Sequence, residues 1–141
     1  MTYKIYLLKG VNQIEFGMPV QRVREIIGNN FSTGDIRAKS KDYPTDYILN
    51  ERVFFYYDET GHLEAVEFAS GADIALGGIN PLAMNWGQAR ALIVKLDPDA
   101  MIDDEGAESR KFSMAVWCPD ADEGDNLPVE SFLVGRPGYY D

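Results

Sequence analysis

One histidine, one cysteine and 23 carboxylates are the groups with which this 141-residue chain could do chemistry. His62 stands in "VFFYYDETGHLEAVEF" (Val53 to Phe68), directly after Gly61. A catalytic triad or a histidine-based zinc site would need it to converge with distant partners, and an exposed turn residue is the expectation. Cys118 ends the apolar run Met114-Ala115-Val116-Trp117-Cys118. A single thiol forms no internal disulfide and makes no zinc site alone, so a buried, unreactive side chain is expected. Neither G-x-x-x-x-G-K-[ST] nor G-x-G-x-x-G occurs, and Gly77-Gly78 is a lone pair that cradles no phosphate.

The carboxylates gather twice, at Asp103-Asp104-Glu105 and at Asp120, Asp122, Glu123 and Asp125. Set from Asp120, the second cluster fails the calcium-loop template. Gly124 stands at the fifth place, Asp125 at the sixth where glycine is needed, and Ser131 at the twelfth where glutamate is needed. No metal and no cofactor are expected. Paired carboxylates can do acid–base work, as in glycoside hydrolysis. A carboxylate-dependent hydrolase is therefore the enzymatic alternative, but 23 acids supply too many pairs for any one to be a signal.

Charge acts at longer range. The net charge is −10. Residues 1–96 carry 10 Lys+Arg against 11 Asp+Glu, and residues 97–141 carry 3 against 12, so −9 of the total lies in the last third. Such a field repels nucleic acid and speeds encounter with a cationic surface. Asp103, Asp104, Glu105, Asp120, Asp122, Glu123 and Asp125 are accordingly the candidate partner-binding residues, for a basic protein.

The elements that must hold these groups show in the periodicity. In "FGMPVQRVREIIGNNF", Val20, Val23, Ile26 and Ile27 recur at helical spacing. Pro19 suits a helix start and Gly28 a stop, with Gln21, Arg22, Arg24 and Glu25 turned outward. A second helix is read in "AMNWGQARALIVKLDPD", with Asn85 as N-cap, Trp86, Ala89, Leu92, Ile93 and Leu96 on one face, and Asp97-Pro98 as the stop. Strands are expected over 4–8 (with a continuation toward Ile14 and Phe16 after a turn at Gly10), 53–57, 63–68, 112–118 and 129–134. Ser32 to Leu49 reads as an irregular polar connection, Ser70 to Gly78 as a Gly- and Ala-rich link, and Asp103 to Lys111 as another polar stretch. Alternation puts Phe55 and Tyr57 on one face of their strand and Phe54 and Tyr56 on the other, with Tyr43, Tyr47 and Trp117 as further aromatics. One set must lie under the helices. The other faces outward, where aromatics favour protein contact.

The expectation is a single α+β domain over 1–141, an antiparallel sheet with two short helices on one face. Met84, Ala89, Arg90, Leu92 and Ile93 follow Met18, Val23, Arg24, Ile26 and Ile27 by 66 residues. That spacing suggests a tandem repeat divided as 1–72 and 73–141.

"IEFGMPVQRVREIIG", followed by "VFFYYDETGHLEAVEF", resembles the outer-membrane assembly lipoprotein superfamily, in which Gly-Met precedes a short helix ending in Leu-Gly and an antiparallel sheet follows. The β-lactamase inhibitory proteins of that superfamily carry two such units and bind another protein on a concave sheet. The second unit here departs from the pattern, with Ala83-Met84 for Gly-Met and Val94 for the closing glycine. There is no lipoprotein cysteine near the start, so membrane anchoring is not carried over. The ending "VGRPGYYD" in a small acidic chain is similar to bacterial proteins found among toxin-immunity candidates. The resemblance implies a non-catalytic, cytoplasmic protein-binding, inhibitor or immunity module, with no nucleic-acid or membrane partner. A structural homo-oligomer is the remaining alternative.

Overall fold

Twelve strands and two helices follow one another in the computed structural model, which describes residues 1–141. They are β1 (Tyr3–Tyr6), β2 (Gly10–Val11), β3 (Ile14–Glu15), α1 (Val20–Ile27), β4 (Ser32–Gly34), β5 (Thr45–Ile48), β6 (Val53–Tyr57) and β7 (Leu63–Ala69). Then come β8 (Ile74–Leu76), α2 (Trp86–Leu96), β9 (Met101–Ile102), β10 (Gly106–Ser109), β11 (Met114–Trp117) and β12 (Ser131–Gly135). No helix is long and apolar enough to cross a membrane.

The fold is α+β. Eight strands form one antiparallel sheet in the order β4-β5-β6-β7-β12-β11-β10-β9. On each side of the central β7–β12 pair, one helix is followed in sequence by four strands. Arg52 (φ 57°) and Ser113 (φ 49°) take a left-handed conformation just before β6 and β11 respectively. The correspondence is one of element order. The 66-residue spacing of the helices is not kept by the strands, since β11 starts 61 residues after β6.

Both helices pack on the inner face of this sheet. Val23 of α1 and Trp86, Ala89 and Ile93 of α2 share one cluster of 26 buried residues with Phe55, Phe68, Met114 and Phe132. The expected helix starts shift by one residue at α1, where Pro19 is the extended N-cap residue and Val20 opens the helix. Asn85 caps α2 as read, accepting from the Gln88 N–H at 2.9 Å while Gln88 Oε1 accepts from the Asn85 N–H at 3.1 Å. Gly61 takes φ 82° in the β6–β7 turn, which a side chain would resist. A Cβ there would also strike the Tyr43 ring at 2.5 Å.

Three sequence readings are corrected. Ser32 to Leu49 is no mere connection, because β4 and β5 lie within it and form one edge of the large sheet. Ser70 to Gly78 contains β8, which pairs in parallel with β1 and builds a second sheet in the order β3-β2-β1-β8. Asp103 to Lys111 contains β10. Each is a strand of only three or four residues held by its pairing, with β1 some 70 residues away in the case of β8, so its own composition carries little signal.

Arg24 is also corrected, since it does not turn outward. Its Nε and Nη2 donate to the two oxygens of Asp46 at 2.9 Å each, and Asp46 is fully buried. Asp46 further accepts from Thr33 Oγ1 at 2.9 Å and Tyr57 Oη at 2.7 Å. The Asp46 hydrogen bond holds the Arg24 guanidinium above its ordinary range. Burial, then Asp46, push the Tyr57 hydroxyl upward, so the centre is a carboxylate surrounded by donors. It ties α1 to β4, β5 and β6.

Ser113 shows the opposite, a local cost. It is fully buried in a left-handed conformation, and its hydroxyl has no hydrogen-bond partner. Ser113→Gly removes both penalties and should raise stability by about 1 kcal/mol, read as a melting temperature roughly 3–5 °C higher. A lower melting temperature would contradict this account of the β10–β11 turn.

Candidate protein-binding face

The outer face of the eight-stranded sheet is set by the same alternation that fills the core. Register puts Tyr47 opposite Phe54, Phe54 opposite Glu67, Glu67 opposite Leu133, and Leu133 opposite Ala115. Ala115 then faces Glu108, and Glu108 faces Met101. Tyr47 and Phe54 stack with centroids 5.8 Å apart. Trp117, two residues on from Ala115, shares this face and is 41% exposed. The chain's other tryptophan, Trp86, is 1% exposed.

Half of this face is already covered. Tyr56, Ala65 and Leu133 form a small cluster under Phe54, Tyr139 and Tyr140. Tyr139 lies on the backbone of Gly135, where a Cβ would come within 2.7 Å of the ring. Ion pairs hold the segment around 37–39 over the same region. Arg37 Nη1 reaches Glu67 Oε1 at 3.0 Å, and Lys39 Nζ reaches the buried Glu64 at 2.7 Å, with Arg136 Nε at 3.8 Å on its other oxygen. Tyr56 Oη donates to Glu67 at 2.6 Å. Burial pushes the Tyr139 and Tyr140 hydroxyls upward.

The other half is open. Met101 (54% exposed) and Trp117 stand together at the β9–β11 end of this face, while Ile102, in register with Ala107 and Val116, belongs to the other face. Two hollows meet at Trp117. One of about 180 Å³ runs toward Arg37, Glu67, Leu133 and Tyr140. The other, about 230 Å³, is bounded by Met101, Asp103, Glu105 and Glu108. Glu108 has Arg110 Nε at 3.9 Å as its only cationic neighbour.

The structure brings the two acidic clusters to this end. Asp103, Asp104 and Glu105 form the β9–β10 turn, all exposed, with Asp103 Oδ1 accepting from the Glu105 N–H at 2.8 Å. The Cys118 N–H donates to the Glu105 carbonyl at 2.7 Å, which sets the second cluster beside the first. Asp120, Asp122 and Glu123 are exposed around the 3₁₀ turn Ala121–Glu123. Asp125 differs from its neighbours. Arg90 Nη1 donates to its carboxylate at 2.9 Å, and its carbonyl accepts from the Gly87 N–H at 2.9 Å. A Cβ on Gly87 would sit 2.8 Å from Asp125 Cβ, so that glycine lets residues 125–127 lie against the first turn of α2. Asp125 serves this tie, and the other six carboxylates are free to act outward.

His62 is exposed, its Nδ1 2.9 Å from Thr60 Oγ1 within the β6–β7 turn. Cys118 is buried, its Sγ donating to the Pro128 carbonyl at 3.5 Å, and burial raises its thiol. Sequence reasoning named Trp117 and both clusters. It missed Met101, for which the apolar pair before the acidic turn 103–105 was the available signal, and the covering pair Tyr139 and Tyr140. No protein family, curated protein or solved structure matches the chain.

No three Asp, Glu, His or Cys side chains converge closely enough to hold a metal ion. Millimolar Ca²⁺ is expected to leave the melting temperature unchanged. A site with a thousandfold lower Kd would add about 4.1 kcal/mol, an effect hard to miss in a thermal scan.

Proposed function

We propose that the chain is a non-catalytic protein-binding module, an inhibitor or immunity-type protein of the bacterial cytoplasm, that engages a basic partner through the open half of its outer sheet face. The observation that carries this reading is the exposed Trp117, set beside Met101 and rimmed by Asp103, Glu105 and Glu108. An exposed tryptophan with an apolar neighbour supplies a desolvated anchor, and tryptophan is among the residues that dominate interface energies. The surrounding carboxylates favour an arginine or lysine packed over the ring. The −9 of residues 97–141 adds long-range steering toward such a partner. The edge strands β4 and β9 are only three and two residues long, which suits a partner seated on the face better than one added to an edge.

The test is capture from the native cell at low salt. The chain should recover a basic protein that is released as salt is raised. A Trp117→Ala variant should recover markedly less of it. Absence of any basic partner even at low ionic strength would end this reading.

A further inference from the structure

Residues 35–44 join β4 to β5, and from Asp35 to Lys41 they carry three cations, Arg37, Lys39 and Lys41, against one acid. In a chain of net charge −10 this is a basic stretch, and it lies on the outer sheet face. The backbone of Arg37 to Lys41 makes no hydrogen bond to any strand. Its one backbone bond is local, from the Ala38 N–H to the Asp35 carbonyl at 3.2 Å. The polar ties to the sheet are the ion pairs of Arg37 with Glu67 and Lys39 with Glu64, and the Lys39 ammonium also stands 5.7 Å from the centre of the Tyr139 ring. In both pairs the cation is the exposed member, at 61% and 50% of its side chain, and the acid the covered one, at 12% and 2%. A segment held without ladder hydrogen bonds belongs to the least stable part of a fold.

The acids beneath fix what can replace it. When Lys39 withdraws, Glu64 keeps only Arg136 Nε at 3.8 Å, and a buried carboxylate that loses its cation is strongly unfavourable. Glu67 keeps the Tyr56 hydroxyl at 2.6 Å. Release is therefore favourable only when other cations arrive. The hollow of about 180 Å³ joins Arg37 and Glu67 to Trp117, Leu133 and Tyr140, so a basic segment seated beside Trp117 reaches the same acids.

We propose that residues 35–42 are an intramolecular strap, holding Glu64 and Glu67 by the same chemistry that recognises the partner. A basic segment of the partner displaces it. Two basic side chains take the places of Arg37 and Lys39, and the binding face extends from Trp117 across β12 to β7. This rests on the protein-binding reading above and supplies its regulation. While the strap is seated, the apparent affinity falls by the fraction of time that the two acids are free.

Spectra of the ¹⁵N-labelled whole chain, titrated with a hexa-arginine peptide at low salt, provide the test. The Trp117 indole reports the open half, and the amides of Ala38, Lys39 and Ser40 report the strap. Both should shift saturably with one midpoint, the strap amides moving toward the positions they hold in the peptide-free double variant Arg37→Gln, Lys39→Gln. That variant should bind the peptide at least about tenfold more tightly than the native chain. Lys4→Gln, Lys9→Gln, both exposed at the second sheet, removes the same charge and should gain no more than about threefold. Arg37→Gln alone leaves Glu64 its lysine, and should show an intermediate gain even where the double variant does not fold. Saturable Trp117 shifts with the strap amides unmoved would overturn the strap and leave the protein-binding reading standing. Strap variants that bind no tighter than the charge control would do the same. A Trp117 indole that does not shift at all would overturn both.

Discussion

Asp46→Ala is expected to lower the melting temperature by roughly 10–20 °C, taking the about 3–5 kcal/mol lost when one partner of a buried charged network is removed. Asp46 is fully buried and accepts four hydrogen bonds, two from Arg24 and one each from Thr33 and Tyr57. Its removal strands the Tyr57 hydroxyl in the core, because Tyr57 is only 2% exposed. Arg24 retains 37% side-chain exposure, so water can recover part of its loss. The expected drop therefore lies toward the lower end of the range. The comparison that isolates the network is the double variant Arg24→Met, Asp46→Leu, which exchanges the pair for apolar bulk. It should lose far less, since replacing a whole buried pair is often nearly neutral. Thermal unfolding followed by circular dichroism reads both. A drop in Asp46→Ala no larger than in the double variant would mean that the network does not hold α1 to the sheet.

The same residue shows where the sequence was legible and where it was not. β6 and β7 could be read directly, because alternating aromatic and aliphatic residues flank a turn ending in Gly61. The α2 helix could be read from its Asn85 cap and apolar face. β5 could not, because its buried Asp46 looks like a loop residue until Arg24, 22 positions earlier, is placed against it. β8 was hidden in a Gly- and Ala-rich stretch, since its partner is β1, some 70 residues away in sequence. At the candidate face, the sequence marks Trp117 only as one aromatic among several, and the pairing of β11 with β12 is what points it out and Val116 in. The tie of Asp125 to Arg90 spans 35 residues and could not be seen, so Asp125 read like its free neighbours. The cover supplied by Tyr139 and Tyr140 depends on the bare backbone of Gly135, a three-dimensional fit with no local signature.

The second large effect is kinetic. Neutralising Asp103, Asp104, Glu105, Asp120, Asp122 and Glu123 to their amides should slow association with the basic partner by about 10–100-fold at low salt. Asp125 is kept, because its change would loosen the contact with α2. All six sites are exposed, so the fold should stand, and removing like charges relieves some self-repulsion. At high salt the variant and the native chain should associate at similar rates, as screening removes the advantage the charges confer. Dissociation should scarcely change. Trp117→Ala should do the reverse, leaving association nearly intact and hastening dissociation, because desolvated anchors act on residence time. Surface-plasmon kinetics at two ionic strengths separates these. Equal association rates at low salt would reduce the acidic third of the chain to a solubility device.

The claim that the partner sits on the open half of the outer face rests on Trp117, and the chain supplies its own control. Trp86 is 1% exposed beneath the sheet and Trp117 is 41% exposed upon it, and there is no third tryptophan. Labelling with 5-fluorotryptophan therefore gives two ¹⁹F resonances, one buried and one at the proposed site. Titration with the captured basic partner, itself unlabelled, should move or broaden the Trp117 resonance to saturation and leave that of Trp86 in place. A saturated complex in which the Trp117 resonance has not moved would contradict the assignment of this face.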